Sequence, residues 1–189
     1  MIFSGPMVRA ILEGRKTQTR RVVKSPGLPR SSDNQWRDHI RRKSRCPYGV
    51  PGDRLWVRES HGQDVRGEVI YRADDQTERA REQGCEQGWV SQPLWRSPIH
   101  MPRWASRLTL EVVSVRVERL QEISERDARA EGIERSVSGY WHNYAPDGPT
   151  HLYARDSFRT LWDSLNAARG DSWAANPWVW ALEFRRVTP

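Results

Sequence analysis

Arg107-Leu108-Thr109-Leu110-Glu111-Val112-Val113-Ser114-Val115-Arg116-Val117-Glu118-Arg119-Leu120 is the stretch that decides the fold class. Its apolar residues alternate with polar ones, as a strand with one buried face requires. The phase then slips by one. Leu108, Leu110 and Val112 occupy even positions, whereas Val113, Val115 and Val117 occupy odd ones. A period of two that slips is what a β-bulge produces, and barrels use bulges to bend their strands. The spacing predicts one long, bent strand over about 107–120.

The segments on either side supply its partners. Upstream, Arg54-Leu55-Trp56-Val57-Arg58-Glu59 and Glu68-Val69-Ile70-Tyr71-Arg72 carry the β-branched and aromatic residues that suit a pleated surface. Downstream, Ser124-Glu125-Arg126-Asp127 is a variant capping box opening a short helix that ends at Gly132. Phe158, Leu161, Trp162 and Leu165 follow i, i+3, i+4, i+7 spacing and predict an amphipathic helix. Trp178, Trp180, Leu182 and Phe184 alternate with Val179, Ala181, Glu183 and Arg185, which predicts a closing strand with one apolar face. Near the start, Pro6 and Gly14 bracket a short helix over 6–13. Three polar stretches, at about 24–48, 73–104 and 134–154, read as insertions into a single domain spanning 1–189. The expected fold is α+β: a mixed, barrel-like sheet with short flanking helices and long insertions.

The 189 residues suffice for one core, and no apolar run nears the ~20 residues that span a bilayer. The first residues lack the charged start and apolar run of a signal peptide, and two cysteines, Cys46 and Cys85, cannot make a disulfide framework. A cytoplasmic protein without membrane partners is expected. The net charge of +7 is uneven: the first 50 residues hold twelve Lys and Arg against Glu13, Asp33 and Asp38. Basic residues between 9 and 45, including Arg37, Arg41, Arg42, Lys43 and Arg45, fit an anionic partner, nucleic acid first, or a solvated loop. Lys16, Lys24 and Lys43 are the only lysines. The arginine bias therefore runs along the whole chain, and a GC-rich coding sequence would produce it without any binding function.

Gly14-Arg15-Lys16-Thr17-Gln18-Thr19-Arg20-Arg21 is the densest chemistry in the chain. Gly14 can turn the backbone after the first helix, and an amine, hydroxyls and guanidinium groups follow at once. An amine beside a hydroxyl works as base and nucleophile once the lysine is desolvated enough to lose its proton. The same groups hold a phosphate, which spacing alone favours, or form no more than a basic surface turn. His39, His61, His100, His142 and His151 make no close pairs with one another or with the cysteines, so no metal site is expected. Trp56, Trp162, Trp178 and Trp180 fit core faces. Trp36, Trp95, Trp104, Trp141 and Trp173 lie in irregular segments, where a ring either pins a loop or stacks on a base.

Gly14, Lys16, Thr19 and Arg21 match the G-x-K-x-x-T-x-R signature of the ASCH family, whose domains are PUA-like barrels. Gly52-Asp53-Arg54-Leu55-Trp56-Val57 resembles a strand of that family, and Trp178–Phe184 resembles its last strand. The resemblance takes in the first 21 residues, the strands, the 120–133 region and the C-terminus, but none of the three insertions. His100-Met101-Pro102-Arg103-Trp104-Ala105-Ser106 is similar to a segment of longer phage and prophage members. The resemblance implies no cofactor, and either RNA binding or the reaction of bacterial N4-acetylcytidine amidohydrolases. In that reaction Lys16, Thr19 and Glu131 would be catalytic. Glu131 is taken from its place in the helical segment Ile123–Glu131, with Glu125 and Asp127 as nearby alternatives, Asp127 more simply a cap partner. Lys16 would take the proton of Thr19, Thr19 would attack the acyl carbon, backbone N–H groups of the turn would hold the oxyanion, and Glu131 would protonate the leaving amine. Gly14, Arg20 and Arg21 would bind the substrate, a modified cytidine nucleoside or RNA. The alternatives are a non-catalytic RNA-binding module and a ribonuclease.

Overall fold

A computed structural model describes residues 1–24, 37, 46–64, 66–74, 94–145 and 148–187. The fold is α+β, with a curled half-barrel sheet and short helices, as expected of a PUA-like barrel. Helix α1 (Gly5–Leu12) leads into β1 (Gln18–Val22). Short strands β2 (Arg54–Trp56), β3 (His61–Gln63) and β4 (Val69–Tyr71) precede the long β5 (Thr109–Arg119). Helices α2 (Glu125–Ala130) and α3 (Ala154–Asn166) then lead to β6 (Trp178–Val187). The main sheet has the order β1-β6-β5-β2 with antiparallel pairs, and β3-β4 form a separate ribbon. A parallel bridge between Ile2 and Arg58 makes the pairing mixed.

The bend predicted in the long strand is present. The β5–β6 register shifts between Val112 and Ser114, and the buried set passes from Leu110 and Val112 to Val117 and Arg119. Helix α2 opens on Ser124, whose hydroxyl accepts the Asp127 N–H at 3.0 Å, and stops before Gly132 at φ +80°. Helix α3 is longer than its predicted stripe. Phe158 and Trp162 are buried, Leu161 is half-buried and Leu165 is exposed.

Strand β6 departs from expectation in being central, with both faces covered. On one face Trp178, Trp180 and Leu182 pack with Val23 and Val117. On the other, Val179 packs with Leu120, Ala128, Phe158 and Trp162 beneath α2 and α3. Phe184 continues the first face into a cluster under α1 with Phe3, Val8, Ile11 and Leu110. Each of these large side chains contributes about 1.5–3 kcal/mol on burial, so β6 is the strand the fold can least lose. The predicted insertion at 134–154 is anchored by Trp141, which bridges Arg135 and His151 and enters the α2–α3 core. Most of the insertion at 24–48 and most of that at 73–104 lie outside the described residues. Among the described residues no helix is long and apolar enough to cross a membrane.

Candidate functional site

The backbone between α1 and β1 is tied at three points. Gly14, at φ +74°, ends α1. The Lys16 N–H then donates to Ala10 O and the Thr17 N–H to Ala130 O, each at 2.9 Å, while Thr17 O accepts from Phe184 N–H. These bonds fasten the turn to α1, to the end of α2 and to β6. Gly132 has to be glycine for this approach: a Cβ there would stand 2.6 Å from Lys16 Cβ and 2.9 Å from Ala10 Cβ.

The result is a buried ionic centre. Lys16 Nζ donates to Glu131 Oε2 at 2.8 Å and to Glu131 O at 2.7 Å. Arg20 reaches the other carboxylate oxygen, Oε1, at 3.0 Å, and also contacts Glu118 at 2.7 Å and Asp127 at 3.4 Å. Gln18 Nε2 and Arg116 converge on Asp127 at 2.9 and 3.3 Å. Lys16, Arg20 and Glu131 are each at most 4% exposed. Burial pushes the Lys16 amine below its ordinary value, with Glu131 opposing the shift. Burial acts on Arg20 in the same sense, but Glu131 and Glu118 outweigh it and hold the guanidinium above its ordinary value. Phe3 closes the apolar side, its ring centroid 5.8 Å from Lys16 Nζ and 5.4 Å from the Arg21 guanidinium.

Of the six residues predicted to form the site, Lys16, Arg20 and Glu131 meet in direct contact. Thr19 is buried on β1, but among the described residues its hydroxyl makes no hydrogen bond to them. Strand alternation sets Thr19 and Arg21 on the face opposite Gln18 and Arg20, with Leu182 and Trp180 as cross-strand partners. Arg21 donates to Ile2 O at 2.9 Å, and its Nε is buried without a partner among the described residues. Arg20 is an ionic hub rather than a free binding group.

Two further readings are corrected. The N–H groups of Gly14, Lys16 and Thr17 are already spent on Ile11, Ala10 and Ala130 carbonyls, so they are not open to an oxyanion. Asp127 is more than a cap partner, because its carboxylate receives Gln18, Arg20 and Arg116. Glu125 serves a separate purpose, accepting the Ala154 and Arg155 N–H groups at the start of α3. Sequence reasoning missed Gln18, Phe3, Arg116 and Glu118. The signal for Gln18 was its shared parity with Lys16 and Arg20, which only matters once residues 18–22 are known to be a strand.

A hollow of about 530 Å³ lies beside this centre, lined by Arg15, Arg129, Ile133, Glu134, Arg135 and Trp141. Arg15 binds Gly132 O at 3.1 Å, and Arg129 and Arg135 stand over the Trp141 ring at 5.6 and 5.5 Å. The volume suits a small ligand, although Lys16, Thr19 and Glu131 do not themselves line it.

No family model and no curated protein matches the chain. Among solved structures the chain is similar to the crystal structure of protein EF3133 from Enterococcus faecalis V583, described under the family model DUF984, with 11% identity and a TM-score of 0.39. That alignment covers 95% of this chain, which spans 65% of the neighbour's length. A likeness of that size assigns neither a family nor an activity.

Proposed function

We propose that the chain is an ASCH-type amidohydrolase acting on the acylated exocyclic amine of a cytosine nucleoside or base, with Lys16, Thr19 and Glu131 as catalytic residues. The observation that supports this reading is the Lys16–Glu131 pair, an ammonium and a carboxylate 2.8 Å apart and both buried. One proton shift along that hydrogen bond gives a neutral amine and a protonated carboxyl, which are the base and the acid the reaction needs. Burial, by lowering the Lys16 amine, favours that shift. Thr19 makes no hydrogen bond to this pair among the described residues, so the reaction requires substrate binding to bring its hydroxyl to Lys16. Lys16 then takes the proton as Thr19 Oγ1 attacks the acyl carbon. Glu131 protonates the departing exocyclic amine as the C–N bond breaks. It later takes a proton from the water that attacks the acyl carbon, while Lys16 returns its proton to Thr19 Oγ1 as the C–O bond breaks and the acid leaves. Arg21, whose Nε has no partner among the described residues, binds substrate.

The test is hydrolysis of N4-acetylcytidine, followed by ultraviolet absorbance. Wild type should turn over, and Lys16→Met and Thr19→Val should each lose at least roughly a hundredfold, on the usual scale of acid–base catalysis. Absence of turnover by folded wild type sinks the reading. A second reading, a non-catalytic RNA-binding module, is favoured by one observation: Glu131 is bonded on both oxygens by two cations, as suits a rigid post.

A further inference from the structure

Strand β2 carries a second basic region that owes nothing to the buried centre. Alternation sends Leu55, Val57 and Glu59 one way and Arg54, Trp56 and Arg58 the other. Val57 and Glu59 are buried at 1% exposure, whereas Arg54 is exposed and Trp56 and Arg58 are half-buried. Trp56 belongs to none of the core clusters, which corrects its reading as a core residue. Its ring instead carries two guanidinium groups, Arg58 at 4.4 Å and Arg103 at 5.8 Å from the centroid. Among the described residues neither guanidinium has a carboxylate partner. The one acid on the cross-strand positions of this face, Glu111 opposite Arg54, is engaged by Arg185 at 2.7 Å. Trp104, next to Arg103, is 74% exposed.

We propose that Arg54, Trp56, Arg58, Arg103 and Trp104 form a binding surface for single-stranded nucleic acid. Stacking on Trp56 holds two guanidiniums in place before any ligand arrives, so less side-chain freedom is lost when they contact successive phosphates. The free face of Trp104 stacks a base, an interaction that tolerates any sequence. A duplex hides its base faces and would leave Trp104 unused, and an acidic polypeptide would have no ring to stack. The surface is joined to the buried centre through the first residues: Arg58 N–H donates to Met1 O, and Ile2 O accepts from Arg21. The proposal stands whether or not the reaction proposed for Lys16 does.

The experiment is fluorescence anisotropy of the full chain with a labelled 12-nucleotide single-stranded RNA, the same sequence as DNA, its duplex, and polyglutamate as competitor, across a salt series. Trp104→Ala should weaken single-strand binding roughly 5- to 150-fold, the range for one stacked base. The Arg58→Ala/Arg103→Ala double variant should reduce the slope of log affinity against log salt by about 1.4, on the order of 0.7 per lost phosphate contact. Exposed Arg169→Ala should bind as wild type does. RNA bound more tightly than DNA, or the reverse, names the strand recognised and supports the surface either way. The proposal is overturned if wild type prefers the duplex or fails to bind single strands, if Arg169→Ala costs as much as the double variant, or if polyglutamate displaces RNA at lower concentration than unlabelled RNA does. Hydrolysis of free N4-acetylcytidine by the same variants reads the Lys16 chemistry separately.

Discussion

The centre around Glu131 and the outward face of β2 use arginine in opposite ways. Arg20 is buried, contacts three carboxylates and has no donor direction left for a ligand. Arg58 and Arg103 lie nearer the surface and rest on a tryptophan face. The first arrangement fixes structure, because removing one member of a buried ionic set leaves its partners charged and desolvated. The second contributes little to folding and leaves its charge available. Count of positive charge, which drew attention to the first 50 residues, does not separate the two. Pairing and burial do.

The comparison is broken most decisively at Glu131. Glu131→Ala should lower stability by about 3–5 kcal/mol in urea unfolding, as for other broken buried pairs. A loss under about 1 kcal/mol would show that Lys16 and Arg20 do not depend on it. Next comes Gly132→Ala, expected to cost roughly 2 kcal/mol or more, since a left-handed residue with a Cβ meets both its own strain and the Lys16 and Ala10 side chains. A near-neutral result would mean that α2 can move away from the Lys16 turn.

The protonation of Lys16 sharpens the contrast further. Its native value lies below the 10.5 of a free lysine. In the window between the two, the unfolded chain binds more protons, so raising the pH stabilises the native state. Wild type should therefore gain stability relative to Lys16→Met as the pH rises towards 10.5, measured by unfolding at fixed ionic strength. A gap that shrinks with pH would reverse the sign of the shift. The smallest effect belongs to the exposed face. Arg58→Ala should change stability by no more than about 0.5 kcal/mol, and a larger loss in thermal or urea unfolding would make that face structural.

Much of the framework was legible because it depends on local periodicity. The phase slip between Val112 and Val113 was visible as a bulge, and Ser124 and Gly132 marked both ends of α2. Strand β1 was not legible. Gln18-Thr19-Arg20-Arg21 is polar at every position and reads as a turn, yet Gln18, Thr19 and Arg20 are buried. The polarity of Gln18 and Arg20 is offset by Asp127, Glu118 and Glu131, which lie about a hundred residues along the chain. For the same reason Trp56 and Trp180, alike in their alternating contexts, have different fates: one faces arginines and the other lies in the core.

By itself, the sequence determined the bent strand, the helix ends and the crowding of amine, hydroxyl and guanidinium groups between Gly14 and Arg21. Each follows from backbone geometry acting over a few residues. The tertiary structure alone decided that β6 is covered on both faces, that Lys16 and Arg20 share one carboxylate 115 and 111 residues away, and that Arg54, Trp56 and Arg58 face outward. Burial and ion pairing belong to contacts between distant segments, and a one-dimensional pattern carries the residue types that can make them without saying which of them meet.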